Sequence, residues 1–189
     1  NVFTVPKNKD YIDDMVRQLK PNSRVAVIGA GFIGVELADQ LRKIPMEVYL
    51  VEVLPHILGT AFDEEIAREA EEMLTAEGIS LKMGQGVKEL TGDSDGAVTG
   101  VTLSSGESLG VDAVVLAMGY APETQLAADA GLPVNEHGFI VVDEYMRTAD
   151  PDVLAVGDCA EKRDFITRRL SGVMLASTAC AEARVAAMN

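Results

Sequence analysis

Gly29-Ala30-Gly31-Phe32-Ile33-Gly34 follows directly on the apolar run Arg24-Val25-Ala26-Val27-Ile28, and Glu52 closes a second apolar run, Val48-Tyr49-Leu50-Val51. The chemistry open to such a set is the grip of a dinucleotide. The first glycine permits a tight turn out of a strand, and the second lets the main chain approach a pyrophosphate. The third lets the new helix pack close to the sheet. The helix N-terminus offers free N–H groups and a positive dipole end to the phosphates. An acid closing the second strand accepts hydrogen bonds from ribose hydroxyls. The glycine pattern alone is weak; strand, turn, helix, strand and acid in that order are strong. Glu52 would repel a 2′-phosphate, and Val53-Leu54-Pro55-His56 supplies no Arg or Lys to bind one. NADH is therefore expected over NADPH.

These residues need a parallel sheet to hold them. Val35, Leu37, Ala38 and Leu41 give the helix after the glycines one apolar face, with Pro45 at its exit. Upstream, Ile12, Met15, Val16 and Leu19 share a helical face that Pro21-Asn22-Ser23 ends. Downstream, Asp63, Glu64 and Glu65 open a helix with an Ile66, Ala67, Ala70, Met73, Leu74 stripe, and Gly78 suits its C-terminal cap. Ile79-Ser80-Leu81 is expected as the third parallel strand. Val87–Leu90, Val98–Leu103 and Ser108–Met118, joined by turn-rich segments, predict an antiparallel meander. Its last limb, Val114-Val115-Leu116-Ala117, is apolar on both faces and is expected to return to the parallel sheet. Phe139–Val142 and Val153–Val156 predict short buried strands, and Leu175–Met188 an alanine-rich helix.

The 189 residues suffice for a real core, and no apolar run is long enough to predict a membrane span. With 30 acidic against 16 basic side chains, the net charge of −14 argues against nucleic acid or an anionic membrane as partner. Two cysteines, Cys159 and Cys180, are too few for a disulfide scaffold and fit a reducing cytoplasm. Both are expected to be small buried apolar residues, and His56 and His137 to be exposed without metal partners. A chain that begins Asn1-Val2-Phe3 reads as a piece of something longer.

Three stretches together resemble the flavin- and nicotinamide-dependent disulfide reductase superfamily, most closely its NADH oxidase, NADH peroxidase and coenzyme A-disulfide reductase branch. They are Val27–Ala38, then Leu116-Ala117-Met118-Gly119-Tyr120-Ala121-Pro122-Glu123-Thr124, then Val142 to Asp158 ending in Ala155-Val156-Gly157-Asp158. The resemblance implies an NAD domain inserted into an FAD domain. Residues 1–21 would be a leading segment with a helix, 22–124 the NAD-binding domain, and 125–189 an incomplete C-terminal part of the split FAD domain. The implied fold class is α/β: a Rossmann-like parallel sheet with helices on both faces and an antiparallel meander, then an incomplete second α/β segment.

The resemblance also assigns roles. Gly29, Gly31, Phe32, Ile33, Gly34, Glu36, Glu52 and Gly119 would serve NAD(H); Gly157 and Asp158 would serve FAD. Glu36 would lie near the nicotinamide amide, and Phe32 between flavin and solvent until nicotinamide displaces it. Asp158 would hydrogen-bond the flavin ribityl chain, and a helix starting near Leu175 would point its N-terminus at the ring. On the residues alone, Glu36 also fits an exposed helix position, Phe32 a core position and Asp158 a turn cap. No catalytic residue is assigned, because the family's reactive cysteine lies in an N-terminal half that this chain does not contain.

The implied function is an FAD-dependent NADH oxidoreductase that passes hydride from NADH to FAD and on to a disulfide, peroxide or oxygen. Its parent would be a homodimer, and the chain alone could self-associate. Alternatives are a flavin reductase serving a rubredoxin, ferredoxin or nitrite reductase partner, or a non-catalytic NAD-binding redox sensor. By itself the chain is expected to lose FAD and be inactive, because this family binds the FAD pyrophosphate through an earlier glycine motif.

Overall fold

A computed structural model describes all of residues 1–189. It divides into two compact units, Asn1–Gly119 and Tyr120–Asn189.

The first unit is built on a five-stranded parallel sheet of order β1-β8-β2-β3-β4, with β1 Val2–Thr4, β2 Arg24–Ile28, β3 Glu47–Val51, β4 Ser80–Lys82 and β8 Ala113–Leu116. β2 is central, with Val25 to Ile28 all buried, as an apolar run in a parallel sheet requires. The leading segment contributes more than a helix: β1 pairs in parallel with β8, Phe3 opposite Val115. Its three residues are too few to signal a strand from sequence.

The period of two along β2 splits the core. Val25 and Val27 share a cluster with Met15 of α1 (Lys9–Gln18), Ala38 and Leu41 of α2 (Phe32–Leu41) and Leu74 of α3 (Glu64–Ala76). Ala26 and Ile28 belong to a second cluster with Val98, Val101, Leu103, Leu109 and Val111. Those last residues come from the three-stranded antiparallel meander β5 (Val87–Gly92), β6 (Val98–Leu103) and β7 (Ser108–Gly110) and from the link to β8. The fold class is the one expected, with one correction in its layering. Helices α1 to α3 share a single core, so the meander covers the other face instead of helices.

Local signals account for most boundaries. The Asn8 side chain accepts the Tyr11 N–H at the start of α1. At the end of α3, Gly78 takes φ +90°, and Ile79 N–H donates to Leu74 O while Gly78 N–H donates to Thr75 O. That is the helix stop the glycine predicted.

Asp112 ties the start of β2 to the start of β8. Its carboxylate accepts the Arg24 backbone N–H (2.8 Å) and a side-chain fork from the same residue (3.2 and 3.0 Å). The Arg24 side-chain hydrogen bond, then its backbone N–H, hold the Asp112 carboxyl below the ordinary carboxylate range. A depressed folded value means the contribution is present above the unfolded pKa of about 4 and is lost as pH falls through the folded one. Asp112→Asn should therefore lower the urea midpoint at pH 7 and leave it nearly unchanged at the acid end. An equal loss at both ends would show that the ion pair is not the source.

In the second unit the expected strands are not formed. Ile140 makes single bridges to Val134 and Ala160, and Leu154 one to Arg147. Phe139, Ile140 and Ala155 are buried, but Val141, Val153 and Leu154 are exposed. Neither segment has another strand lying beside it for more than one residue. The unit's core is small: Ala127 of α4 (Gln125–Asp129), Ile140, Ala155 and Ala160, with Leu132, Val142 and Cys159 against them. A two-residue hairpin, β9 (Lys162–Arg163) with β10 (Leu170–Ser171), precedes α5 (Ala176–Ala187), the expected alanine-rich helix. No helix is long and apolar enough to cross a membrane.

Candidate functional site

The carboxyl ends of β2, β3 and β8 lie side by side, and the chain leaves β2 toward β3 on one side while β8 lies on the other. This reversal of strand order is where open α/β sheets bind ligands. Gly29 follows β2, Glu52 follows β3, and Ala117 to Gly119 follow β8.

The glycines do different work. Gly29 has φ +101°, and a Cβ there would lie 2.5 Å from Ala117 O. A Cβ on Gly34 would lie 1.8 Å from Gly29 O. Both are required by the protein's own backbone. Gly119, at φ +102°, is required by its conformation alone.

Gly31 is different. It is the N-cap of α2 with φ −73° and ψ −172°, a conformation open to any residue, and a Cβ there would have no protein atom within 4 Å. Neither strain nor packing within the chain demands glycine here. The open space leaves the backbone at this helix N-terminus accessible to an anionic group. The residues present thus fit a pyrophosphate at this turn.

Glu52 is partly buried and fixed. Its Oε2 accepts the Ala30 N–H (2.7 Å) and its Oε1 the Leu54 N–H (2.9 Å), so the carboxylate bridges the glycine turn and the segment after β3. Each carboxylate oxygen retains a second lone pair for a hydroxyl donor. Phe32, the first residue of α2, is half-exposed with its ring edge-on to Phe62 at 6.0 Å, so it is not a core residue. Glu36 is exposed, and Ile33 is partly buried.

Gly157 and Asp158 stand in a 3-10 turn, Gly157–Cys159, in the second unit. Gly157 has φ +81°; its N–H donates to Glu182 Oε2 (2.7 Å), and its carbonyl accepts from Lys162 Nζ. Lys162 also donates to Ala160 O (3.0 Å) and faces Glu182 at 3.7 Å, with both side chains nearly buried. Asp158 is half-buried. α5 begins at Ala176 with no side chain capping its first N–H groups. A half-exposed carboxylate on a clamped turn and an uncapped helix N-terminus fit the polar side of a flavin.

Three expectations are corrected. His56 is not exposed: its side chain is 21% accessible, with Nδ1 3.2 Å from Glu71 and Nε2 3.6 Å from Glu64. Cys159 is only partly buried, its thiol donating to Val156 O, and Cys180 is exposed. Cys159 packs at the edge of the second unit's small core. His137 is exposed as expected.

Lys162, Glu182, Phe62 and Glu71 were missed by sequence reasoning. Glu71 and Glu182 read as solvated helix residues, and nothing in the local pattern marks the contacts of Phe62 or of Lys162 on β9.

The sequence profile of the pyridine nucleotide-disulphide oxidoreductases matches residues 2–183. The chain belongs to that family. It is 41% identical to rhodocoxin reductase of Rhodococcus erythropolis over 138 residues, which cover 73% of this chain and 32% of that protein. It is 35% identical to an NADH oxidase of Streptococcus pneumoniae over 181 residues, 94% of this chain and 39% of the oxidase. A ferredoxin reductase from Rhodopseudomonas palustris superposes with a TM-score of 0.88 at 33% identity, over 98% of this chain and 45% of that one. The chain thus spans between about a third and under a half of these family members.

Proposed function

We propose that this chain is the NADH-binding part, with a share of the flavin site, of an FAD-dependent NADH oxidoreductase of the cytoplasm. The observation that carries the reading is the glycine turn at the end of β2, where Gly31 leaves the N-terminus of α2 uncovered beside the fixed carboxylate of Glu52. Gly29, Gly34 and Gly119 shape the turn, Glu52 holds the adenosine ribose, and Ile33 and Glu36 line the start of α2 beyond it. Phe32 is the ring that the nicotinamide moves aside. The chemistry supplied by a bound FAD is acceptance of the nicotinamide hydride. Asp158 orients the ribityl chain from a turn that Lys162 and Glu182 hold still.

The acceptor after FAD is a disulfide, peroxide or oxygen in this reading. A second reading, a flavin reductase for a small redox protein, is favoured by the identity to rhodocoxin reductase, which exceeds that to the NADH oxidase. The parent is proposed as a homodimer, with the chain able to self-associate: Leu126, Phe165 and Ile166 are each at least 80% exposed.

Calorimetric titration of the 189-residue chain tests the nucleotide site. NADH should bind more tightly than NADPH. Glu52→Gln, which keeps an acceptor for one of the two N–H groups, should weaken NADH and narrow the preference by about 1–3 kcal/mol. Tighter binding of NADPH by the unaltered chain would refute the role given to Glu52.

A further inference from the structure

The segment 54–62 between β3 and α3 is a strap that meets the nucleotide site at three points and a buried-side acid behind it. At its near end Leu54 N–H donates to Glu52. In the middle Leu58 N–H donates to Ala30 O (2.8 Å), inside the glycine turn. At its far end the Phe62 ring meets Phe32. The strap therefore touches the residues assigned to ribose, pyrophosphate and nicotinamide.

The strap is also strained. Leu58 has φ +53°, a left-handed conformation in which the Cβ of an L-residue crowds the following carbonyl oxygen. Such a residue persists only where its surroundings over-determine it. The two residues before it show how. Ile57 is fully buried, and its N–H donates to Glu71 Oε1 of α3 at 3.1 Å. The same oxygen lies 3.2 Å from His56 Nδ1. Glu71 is only 18% accessible, whereas its helix neighbours Glu69 and Glu72 are exposed. One carboxylate, drawn in from the polar side of a surface helix, thus grips two consecutive residues of the strap.

We propose that Glu71 is a positioning residue for the nucleotide: by holding His56 and Ile57 it keeps Leu58 in its left-handed turn. It thereby fixes the Leu58–Ala30 bond under the pyrophosphate and the Phe62–Phe32 contact at the nicotinamide end. Glu71 itself touches no ligand. The proposal rests on the dinucleotide reading of the glycine turn. It adds that affinity depends on an acid in the third helix, outside the motif.

The test is Glu71→Ala and Glu71→Gln in the 189-residue chain. NADH affinity would be read by calorimetry, and amide exchange by mass spectrometry over residues 54–62 and, as reference, over β2 and β3. Glu71→Ala should weaken NADH about tenfold and speed exchange in the strap while the reference strands keep their protection. Glu71→Gln, whose amide oxygen still accepts the Ile57 N–H, should recover most of both losses. A general structural defect would raise exchange everywhere and would not be rescued for binding alone. If the unaltered chain binds NADH and Glu71→Ala binds it equally well, the positioning role is wrong. If the unaltered chain binds no NADH, the dinucleotide reading itself falls, and the role assigned to Glu71 with it.

Discussion

Gly31→Asp should leave the protein as stable as before, or more stable, and abolish NADH binding. Asp is a strong N-cap, and Gly31 is the N-cap of α2 with no side chain to accept its first N–H groups. The change should add a few tenths of a kcal/mol to the helix. No protein atom stands within 4 Å of the new Cβ, so nothing is crowded. The carboxylate then sits where the pyrophosphate must approach and occupies the N–H groups that would receive it. A loss of more than about 100-fold in affinity, near 3 kcal/mol, is expected from like charge and from donors already used. Gly34→Ala is the contrasting variant. Its Cβ would lie 1.8 Å from Gly29 O, so the turn and α2 must separate, at a cost of 1–3 kcal/mol or more. Thermal unfolding and NADH titration of both variants distinguish the two kinds of glycine. A Gly31→Asp protein that still binds NADH would remove the main support for the nucleotide site.

The contrast between these glycines also marks how far the sequence could be read. Spacing alone located Gly29, Gly31, Gly34 and Glu52, because strand, turn and helix follow one another locally and each leaves a periodic trace. The meander and the return of Val114–Ala117 to the parallel sheet were legible for the same reason. Spacing could not separate the glycine the fold needs from the one it leaves unconstrained; that took the distance from Gly34 to Gly29 O and the open space at Gly31. Nor could it find Glu71 or Phe62, whose partners lie 14 and 30 residues away (71 − 57 and 62 − 32). The layering was misjudged because the sequence shows that a strand is apolar on both sides but not what covers each side. In the second unit, Phe139–Val142 and Val153–Val156 have strand composition, and propensity does not supply neighbouring strands.

Lys162→Met should be the most damaging single change in the second unit. Lys162 and Glu182 face each other at 3.7 Å with 7% and 11% of their side chains accessible. The lysine also holds the carbonyls of Gly157 and Ala160, and the glutamate holds the Gly157 N–H. Removing the lysine leaves a buried carboxylate with one backbone donor and no counter-charge, and leaves Ala160 O without its side-chain donor, while Gly157 O keeps only the Ala160 N–H. Breaking a buried pair in this way costs about 3–5 kcal/mol, much of it the desolvation of the partner left behind. Glu182→Gln should cost less, since its amide oxygen can still accept from Gly157. The double variant Lys162→Met/Glu182→Gln should recover part of the Lys162→Met loss, because no uncompensated charge then stays inside. The core of this unit is assembled from Ala127, Ile140, Ala155 and Ala160, too little apolar surface to absorb such a loss unnoticed. Amide exchange over residues 157–162 reads the effect at the turn that carries Asp158, separately from the first unit. A Lys162→Met protein whose turn amides stay as protected as before would show that the pair does not hold the turn carrying Asp158 in place.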